Sequence, residues 1–442
     1  MATPSFLSEI AWRGLLHQRT AEQAFEDHLA TPGRVGYCGF DPTADSLTIG
    51  NLVPIQLLVH WQRAGHCPVV LVGGGTGMIG DPSGKDRERP LLTREQVDAN
   101  VAGQRRIFDR LLDFDRACPN AARLVNNADW LTGLGFLEFL RDIGKHFSVN
   151  TMVQKESVRE RLHNRDQGIS YTEFSYMLLQ AYDFLHLHRT EQCTVQMAGS
   201  DQYGNIVAGV ELIHRSLGHA TEAFGVTAPL VTHADGRKIG KSEGASIWLT
   251  ADRTSPYAFH QYWINVPDGE VGAFLRFFTV LGREEIEAVE DAQRTAPHER
   301  SAQRSLARHM TERLHGESER HRVEAAAEAL FGRGDVRALD ATTLAEVAAE
   351  IPHTQHDFGA LTTDSGVSLV DLLPETTLAG SRREAREFLG SGAVFVNGQR
   401  AAGDRRLTRE DLLPGALVLL RRGKRQWHAS HWTANPRSPQ SG

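Results

Sequence analysis

Short apolar segments alternate with segments of helical periodicity over the first half of the chain. Residues 34–40 and 67–72 have the pattern of strands, and a helix over 51–64 lies between them. The alternation continues with strands at 123–126, 193–197 and 226–231 and helices at 134–143, 174–185 and 202–217. Because parallel strands need crossover helices, this pattern predicts an α/β fold with a doubly wound parallel sheet.

The rest of the chain divides into stretches of different pattern. A helical arm is expected over 1–32, before a catalytic α/β domain over 33–250. Phenylalanines and Ala- and Glu-rich stretches at helical spacing then predict an α-helical domain over 251–340. Residues that lack sustained periodicity predict a linker, a final folded piece follows it, and a Pro- and Ser-rich tail is expected to be disordered. These three stretches are 341–366, 367–432 and 433–442.

The composition excludes several classes of protein. Hydrophobic residues make up 40% and charged residues 23% of the 442 residues, as in ordinary globular proteins. The cysteines form no CxxC pair, which argues against a zinc ribbon, a redox motif and a disulfide framework, and we expect no metal held by the protein itself. They are Cys38, Cys67, Cys118 and Cys193. No apolar run approaches the roughly 18 to 20 residues that cross a bilayer, so we expect a cytoplasmic protein without a membrane partner.

Positive charge is concentrated in the last folded piece, although the net charge of the chain is −7. A helix carrying Arg382, Arg383 and Arg386, followed by a β-hairpin at Asn397 and Gly398, would gather cations on one surface. This pattern predicts a nucleic-acid-binding surface, and a solvated charged face is the alternative. The further cations expected on it are Arg421, Arg422 and Lys424.

Two loops carry residue types that suit phosphate binding. Residues 37–51 run from the end of a strand into a helix, which is where open α/β sheets bind ligands, and Gly50 leaves room beside the backbone. Residues 235–242 contain Lys238 and Lys241, two of only six lysines in a chain with 48 Lys plus Arg. Two compact charges on one loop suit the stabilisation of a leaving polyphosphate.

A further, glycine-rich stretch is a weaker indication of nucleotide binding. Residues 75–80 match the pattern GxGxxG directly after a predicted strand, which is the position of a dinucleotide-binding fingerprint. Such a fingerprint opens a helix at once, whereas Pro82 and Gly84 would break a helix here. We therefore interpret the stretch as a glycine-rich loop.

These motifs together resemble one family, the bacterial tyrosyl-tRNA synthetases, which are class I aminoacyl-tRNA synthetases. The matching segments are YCGFDPTADSL (37–47), GDPSGK (80–85), FLRDIGKHFSVN (139–150), GISYTEFSYMLLQAYDFL (168–185), GSDQYGN (199–205), KIGKS (238–242) and TSPYAFHQYWIN (254–265). Near the C-terminus, SRREAREFLGSGAVFVNGQR is similar to the S4 RNA-binding fold. The resemblance implies a Rossmann-like catalytic domain, an α-helical anticodon-side domain and a small α+β S4-like domain.

The resemblance also implies an activity. L-tyrosine would attack the α-phosphate of ATP to give tyrosyl adenylate and pyrophosphate, with Mg²⁺ bound through the phosphates. The tyrosyl group would then pass to tRNA(Tyr) without a covalent enzyme intermediate. The family pattern implies a homodimer through the catalytic domain. Two alternatives remain open, a paralogue that activates a tyrosine analogue or serves inhibitor resistance, and an inactive tRNA-binding relic.

The resemblance also implies roles for the residues that match the family motifs. Tyr37 and Asp183 would bind the phenol of tyrosine. The remaining tyrosine-binding residues would be Asp81, Tyr176, Gln180 and Gln202. The ATP-binding residues would be Cys38, Gly39, Asp41, Gly50, Gly199, Asp201, Lys241 and Ser242. The catalytic residues would be Thr43, Thr48, Asn51, Lys85, Arg89, Lys238 and Lys241.

The chain departs from the family pattern at a few positions. The "HIGH" signature is here Thr48-Ile49-Gly50-Asn51, without either histidine. We expect Asn51 to donate an amide N–H in place of the second histidine and Thr48 to reach the phosphates poorly. Each missing contact would slow activation by roughly ten- to a hundredfold. Ala198, Tyr203 and Gly240 also replace the family's usual Gly, Trp and Ser.

Overall fold

The computed structural model describes residues 5–80, 92–154, 158–159, 169–233, 235–237, 239–242, 245–332, 334–362 and 366–434, and of residues 241 and 242 it describes only the backbone. The chain forms two compact units. The first unit comprises residues 1–253 and 265–314, and the second unit comprises residues 254–264 and 315–442.

A six-stranded sheet organises the first unit. Its strands are β1 (Gln18–Arg19), β2 (Val35–Phe40), β3 (Cys67–Val72), β4 (Arg123–Asn126), β5 (Cys193–Gly199) and β6 (Phe224–Ala228). The order across the sheet is β1-β6-β5-β2-β3-β4, and all neighbours from β6 to β4 pair in parallel. The predicted doubly wound parallel sheet is therefore confirmed. A short hairpin of β7 (Lys241–Ser242) and β8 (Ala245–Ser246) lies outside this sheet.

Helices connect the strands of the first unit. They are α1 (Phe6–Trp12), α2 (Glu22–Leu29), α3 (Ile49–Arg63), α4 (Arg94–Leu111), α5 (Ala128–Leu131), α6 (Phe136–Asp142), α7 (Val149–Val153), α8 (Tyr171–Glu191) and α9 (Tyr203–Leu217). Helix α8 begins after Ser170, whose hydroxyl accepts a hydrogen bond from the Glu173 amide and so caps the first turn. Its apolar side chains, among them Met177 and Phe184, pack in the core between the helices and the sheet.

The N-terminal arm is not purely helical, which corrects the prediction for 1–32. Between α1 and α2 the chain forms β1, which pairs antiparallel with β6 at the edge of the sheet. The flanking amides of His17 and Thr20 donate to the carbonyls of Thr227 and Gly225 at 2.8 and 3.0 Å. A strand of two residues has too few positions to show an alternating pattern, so β1 could not be predicted from the sequence.

The helical region predicted over 251–340 is divided between the two units. Its helices are α10 (Pro256–Ile264), α11 (Asp268–Phe278), α12 (Arg283–Thr295), α13 (Ser301–His315) and α14 (Glu317–Phe331). The buried guanidinium of Arg13 donates to three carbonyls at the C-terminal end of α11, at 2.7 to 3.0 Å. Gln56 of α3 donates to a fourth, that of Phe278. The last carbonyls of a helix have no partner within it, so these bonds hold the C-terminal end of α11 and the residues just after it against α3 and the segment after α1, within the first unit.

The second unit contains a five-stranded sheet with the order β12-β11-β14-β15-β9. The strands of the unit are β9 (His353–Asp357), β10 (Val367–Ser368), β11 (Val394–Val396), β12 (Gln399–Arg400), β13 (Arg406–Leu407), β14 (Leu417–Arg422) and β15 (Gln426–Thr433). Its remaining helices are α15 (Ala341–Ala349), α16 (Leu369–Leu372) and α17 (Arg382–Gly390). Strands β10 and β13 form a separate antiparallel pair.

Both faces of this sheet are covered. Leu417 and Leu419 of β14 pack in a core with residues of α14 and α15, whereas Val418 and Leu420 pack in a second core with Leu389 of α17. Alternate residues of a strand point to opposite faces, so burial on both faces explains the uninterrupted apolar run at the start of β14.

The stretch predicted as a linker over 341–366 contains regular structure, which corrects that prediction. Helix α15 is capped by Asp340, which accepts hydrogen bonds from the amide and hydroxyl of Thr343, both at 2.8 Å. Strand β9 pairs in parallel with β15, about 70 residues later in the chain. Its sequence, HTQHD, is polar because β9 is the edge strand of the sheet, so no apolar pattern marks it.

The remaining predictions concern a hairpin, the cysteines, membrane spans and the C-terminal tail. The predicted hairpin is confirmed, since Asn397 and Gly398 connect β11 to β12 with φ of +47° and +81°. All four cysteines are free thiols. No helix in the described part of the chain is long and apolar enough to span a bilayer. Thr433 ends β15, and residues 435–442 of the predicted tail lie outside the described residues.

Candidate active site

A cavity of about 570 Å³ opens where β2 and β5 end. These strands are neighbours in the sheet, so their carboxyl ends lie side by side, and the N-terminal end of α3 completes the wall. The structure brings together in this lining the predicted residues Tyr37, Cys38, Gly39, Asp41, Thr43, Thr48, Gly50, Asn51, Tyr176, Gln180, Asp183, Gly199, Asp201 and Gln202. The cavity is large enough for a small-molecule ligand.

Other predicted site residues cannot be placed in the cavity. Asp81, Lys85, Arg89 and Lys238 lie outside the described residues. The backbone of Lys241 and Ser242 forms β7, directly after Gly240, which lines the cavity. Gly240 has a φ of +77°, and a Cβ atom there would lie 2.9 Å from Cβ of Ile49. Glycine in place of the family's serine therefore suits the left-handed backbone conformation at this position.

Asp183 is the most deeply buried carboxylate of the cavity, with 1% of its surface exposed. Its Oδ2 accepts a hydrogen bond from Nδ2 of Asn127 at 2.9 Å, and its Oδ1 accepts one from Nε1 of Trp130 at 2.7 Å. Burial raises the pKa of Asp183 to about 7, the two hydrogen bonds act in the opposite direction, and the charge of Asp41 raises it further. The carboxyl group is thus held in one orientation at the end of the cavity.

The phenol of Tyr37 lies next to this carboxyl group and is also buried. Its hydroxyl has no hydrogen-bond partner in the described part of the chain. Burial, and to a lesser extent the charge of Asp183, raises the pKa of Tyr37 well above its usual range, so the hydroxyl keeps its proton. A buried donor without a partner is costly, and a polar ligand group beside Tyr37 would remove that cost.

Asp41, after the end of β2, is held by two hydroxyl donors. Tyr176 of α8 donates to Oδ2 at 2.9 Å, and Thr76 donates to Oδ1 at 2.8 Å. Asn127 donates to the hydroxyl of Thr76 at 3.0 Å as well as to Asp183. One chain of hydrogen bonds therefore fixes two carboxyl groups of the cavity relative to each other.

A second group of polar side chains is linked by hydrogen bonds at the cavity. Asn205 of α9 donates to the side-chain oxygens of Gln180 and Gln202, both at 3.0 Å, and both glutamines line the cavity. Gln202 in turn donates to Oδ2 of Asp201 at 3.1 Å. The side-chain oxygen of Gln180 has a second lone pair that a bound ammonium or hydroxyl group could use.

Cys38 also lines the cavity, but its thiol is not suited to nucleophilic attack. Burial raises the pKa of the Cys38 thiol well above its usual range, and the nearby charge of Asp201 acts in the same direction. Since the thiolate is the nucleophilic form, a neutral buried thiol argues against a covalent intermediate on this residue.

The residues that depart from the family pattern do not all line the cavity. Thr48, Asn51 and Ala198 line the cavity, whereas Tyr203 is not among its lining residues and instead faces a groove beside α1 and α2. The Tyr203 change therefore does not alter the lining of the cavity. Thr48 and Asn51 are hydrogen-bonded to each other at 3.0 Å.

Sequence reasoning missed the residues that hold the site in place. Thr76 and Gln196 line the cavity, and Asn127 and Trp130 bind Asp183. Asn127 follows the end of β4, so the rule that polar residues at carboxyl ends of parallel strands form sites could have found it. For Trp130 the sequence offers no comparable signal.

The predicted cations of the second unit are not equally available. Arg382 forms an ion pair with Asp371 at 2.8 Å. The guanidinium of Arg421 lies over the rings of Phe395 and Trp427, and burial lowers its pKa. These contacts occupy two of the six predicted RNA-binding arginines and lysines.

The guanidinium of Arg422 is also occupied by contacts within the second unit, whereas the other three predicted cations have no ion pair among the described residues. Arg422 lies over Phe388 of α17 and donates to the carbonyl of Leu378 at 2.8 Å. Because this contact joins α17 to the end of β14, the turn after β14 lies near α17. Exposed cations without an ion pair in the described part of the chain remain at Arg383, Arg386 and Lys424.

Comparison with known proteins agrees with this fold. Residues 33–332 match the family model "tRNA synthetases class I (W and Y)". Residues 344–429 match the model "Tyrosine--tRNA ligase SYY-like C-terminal domain". The parallel sheet with a ligand cavity at its carboxyl edge is thus that of a class I aminoacyl-tRNA synthetase.

Full-length relatives define the family more narrowly. The chain is 48% identical over 423 residues to "Tyrosine--tRNA ligase" of Geobacillus kaustophilus, covering 96% of this chain and 98% of the relative. It is 47% identical over 425 residues, with the same coverage, to that of Roseiflexus castenholzii. The chain belongs to the tyrosine–tRNA ligases, and the resemblance derived from its motifs is confirmed.

Solved structures of the same class are also similar. A C-terminally truncated mitochondrial tyrosyl-tRNA synthetase of Aspergillus nidulans has a TM-score of 0.65 and 28% identity, covering 74% of this chain and 94% of its own. The corresponding Coccidioides posadasii enzyme has a TM-score of 0.63 and 30% identity, covering 72% and 90%. The class I fold expected from the sequence is therefore confirmed.

Proposed function

We propose that this chain joins L-tyrosine to tRNA(Tyr) in two steps in the cytoplasm. The carboxylate of tyrosine attacks the α-phosphorus of ATP, which enters as its Mg²⁺ complex, and pyrophosphate leaves. A ribose hydroxyl at the 3′ end of the tRNA then attacks the carbonyl of tyrosyl adenylate, and AMP leaves. Both steps depend on positioning and charge stabilisation, because no group of the enzyme forms a covalent bond.

The observation that carries the proposal is the buried hydroxyl of Tyr37, which lines the same cavity as Asp183 and has no hydrogen-bond partner among the described residues. The phenol of tyrosine has one donor and one acceptor, so it can donate to Asp183 and accept from Tyr37 at the same time. Phenylalanine would leave both buried groups without a partner, which gives the site a physical means of rejecting it.

The walls of the cavity suit the rest of the tyrosine molecule. Gln180 and Tyr176 line the cavity, and on the family motif their side-chain oxygens are assigned to the α-ammonium group. Asp81 is assigned to the same group on the family motif. Gln202 lies beside Asp201 and would meet the carboxylate end of tyrosine.

ATP would occupy the end of the cavity formed by the N-terminal end of α3. Helix N-termini favour anions, and Gly50 leaves open space there, because a Cβ atom would meet only Thr48 Oγ1 at 3.7 Å. The residues assigned to the nucleotide are Cys38, Gly39, Asp41, Thr43, Gly50, Gly199 and Asp201. Those assigned to its phosphates are Lys85, Arg89, Lys238, Lys241 and Ser242.

Among the described residues, no cluster of three His, Cys, Asp or Glu side chains could hold a metal ion. A magnesium ion bound mainly through substrate phosphates does not need such a cluster. The cation therefore belongs to the substrate in this proposal.

Tyr37→Phe tests the assignment of the phenol site. We expect kcat/KM for tyrosine to fall about tenfold, because one hydrogen bond is lost, and the preference for tyrosine over phenylalanine to fall by a similar factor. Tyrosine- and phenylalanine-dependent ATP–pyrophosphate exchange measures both values. Tyr182→Phe is the matched control, since Tyr182 lies on α8 but does not line the cavity. An unchanged preference in Tyr37→Phe would contradict the assignment.

We also propose a homodimer formed through the first unit. Phe136 and Leu137 of α6 are 65% and 78% exposed, and Val149 and Tyr171, which begin α7 and α8, are also exposed. Phe136 and Leu137 are adjacent on α6, and contiguous exposed apolar surface marks an interaction site. A second copy of the chain would cover them.

The double variant Phe136→Asp with Leu137→Asp should be monomeric, because it would bury two charges at such an interface. Sedimentation equilibrium measures the mass, with Phe331→Asp, another exposed aromatic position, as the control. A wild-type protein that sediments as a monomer, or a double variant that still dimerises, would count against this interface.

A further inference from the structure

Thr48 and Asn51 form a pair at the N-terminal end of α3. The backbone amide of Thr48 lies 3.0 Å from Oδ1 of Asn51, and the Thr48 hydroxyl lies 3.0 Å from the same oxygen. A backbone N–H can only donate, so the atom that faces it must be the oxygen of the carboxamide and not its nitrogen. The hydroxyl must likewise donate, because that oxygen carries no proton.

These two hydrogen bonds fix the orientation of the Asn51 side chain. With its oxygen turned to Thr48, the NH2 group of Asn51 is turned away from Thr48. This nitrogen makes no hydrogen bond within the described residues, and Asn51 lines the cavity. The open space at Gly50 lets a ligand approach the same turn.

The same bonds restrict what Thr48 itself can do. Its hydroxyl has a single proton, which is used on Asn51, so only lone pairs remain toward the cavity. Lone pairs repel the oxygens of a phosphate group and cannot stabilise charge that develops on them. Thr48 is therefore unsuited to direct contact with the phosphates.

We propose that Thr48 is a positioning residue, which holds the Asn51 carboxamide so that its NH2 group is presented to the nucleotide. The inference rests on the proposed function, since it takes ATP as the ligand of this end of the cavity. The pair together supplies one oriented donor at the start of α3. Asn51 makes the contact, and Thr48 acts only through it.

A double-mutant cycle tests this coupling. The four proteins are wild type, Thr48→Val, Asn51→Ala and the double variant, and the readout is kcat/KM for ATP in tyrosine-dependent pyrophosphate exchange. We expect Thr48→Val to lower this value about fivefold and Asn51→Ala to lower it about 10- to 100-fold. In the Asn51→Ala background, Thr48→Val should add less than about a twofold loss, because the carboxamide oxygen that accepts from the Thr48 hydroxyl is gone.

Two further readouts separate positioning from a general structural effect. Thr48→Ser keeps the hydroxyl and should restore most of the activity that Thr48→Val loses. The dissociation constant for tyrosine should stay within about twofold in all variants, since Tyr37 and Asp183 bind its phenol. Thr408→Val removes a threonine N-cap of similar geometry in the second unit, where Asp411 accepts from the Thr408 amide at 2.9 Å. This control should leave the exchange reaction unchanged.

Multiplicative losses in the double variant, or a Thr48→Ser protein as impaired as Thr48→Val, would overturn the proposal. A wild-type protein without tyrosine-dependent exchange would instead overturn the proposed function. In that case, titration calorimetry with MgATP on the same four proteins still tests the pair, since non-additive changes in Kd support it and additive changes contradict it.

Discussion

Asp183→Asn is expected to lower kcat/KM for tyrosine by about a thousandfold, corresponding to about 4 kcal/mol. Both oxygens of Asp183 accept hydrogen bonds, from Asn127 at 2.9 Å and from Trp130 at 2.7 Å. An asparagine has one acceptor oxygen, so its NH2 group would face one of these two donors. The variant therefore has three defects, each costing about 1 to 3 kcal/mol. It loses a buried hydrogen bond, it places two donors together, and it loses the acceptor for the tyrosine phenol.

Pyrophosphate exchange with tyrosine and with phenylalanine measures this effect. The loss should be larger for tyrosine than for phenylalanine, which has no phenol hydroxyl to lose. Asp109→Asn is the control. It removes a carboxylate from an exposed ion pair with Arg105, and neither residue lines the cavity. Near-normal tyrosine kinetics in Asp183→Asn would exclude the phenol assignment.

The same variant changes how stability depends on pH. Burial raises the pKa of Asp183 from 3.8 to about 7 in the folded protein, so between these values the folded state binds a proton that the unfolded state has lost. This group therefore stabilises the protein fully below pH 3.8 and loses that contribution, on the order of 4 kcal/mol, as pH rises through about 7. The difference in unfolding free energy between wild type and Asp183→Asn should accordingly decrease from pH 5 to pH 8. A difference that is constant over this range would contradict the raised pKa.

Reversing the three predicted RNA-binding cations that have no ion pair among the described residues should raise KM for tRNA(Tyr) about a hundredfold at moderate salt. The variant combines Arg383→Glu, Arg386→Glu and Lys424→Glu, which are exposed and have no ion pair in the described part of the chain. The dependence of log KM on log salt should become shallower by about two to three units, because phosphate contacts that release counterions are lost. Exchange without tRNA should be unaffected.

A matched control reverses three exposed arginines elsewhere, with Arg110→Glu, Arg116→Glu and Arg337→Glu. This control has the same net charge and should keep the KM for tRNA within about threefold, since it leaves the proposed surface intact. Equal losses in both variants would show that only net charge matters. Deletion of residues 367–442 is a poorer test, because Leu417 and Trp427 complete the core beneath α14 and α15.

Local spacing was enough to predict part of the site. Tyr176, Gln180 and Asp183 are separated by four and three residues, which places them on one face of a helix, and the structure has all three in the cavity lining. The loop from β2 into α3 was predictable for the same reason, because a strand followed by a helix puts it at the carboxyl edge of the sheet.

The supporting residues could not be found in this way. Trp130 reaches Asp183 from the segment after β4, and its proximity depends on the order of strands across the sheet. Strand β9 is polar and pairs with residues far away in the chain. Arg421 and Arg422 carry the same charge as their exposed neighbours, and only tertiary packing shows that their guanidinium groups are occupied.

In the proposed function, the cavity activates tyrosine and rejects phenylalanine through Tyr37 and Asp183. The decisive measurement is amino-acid-dependent ATP–pyrophosphate exchange by the wild-type protein, with tyrosine, phenylalanine and no amino acid compared at the same concentrations. We predict strong exchange with tyrosine and little above background with phenylalanine. Equal exchange with both amino acids, or none with tyrosine, would exclude this function for the cavity.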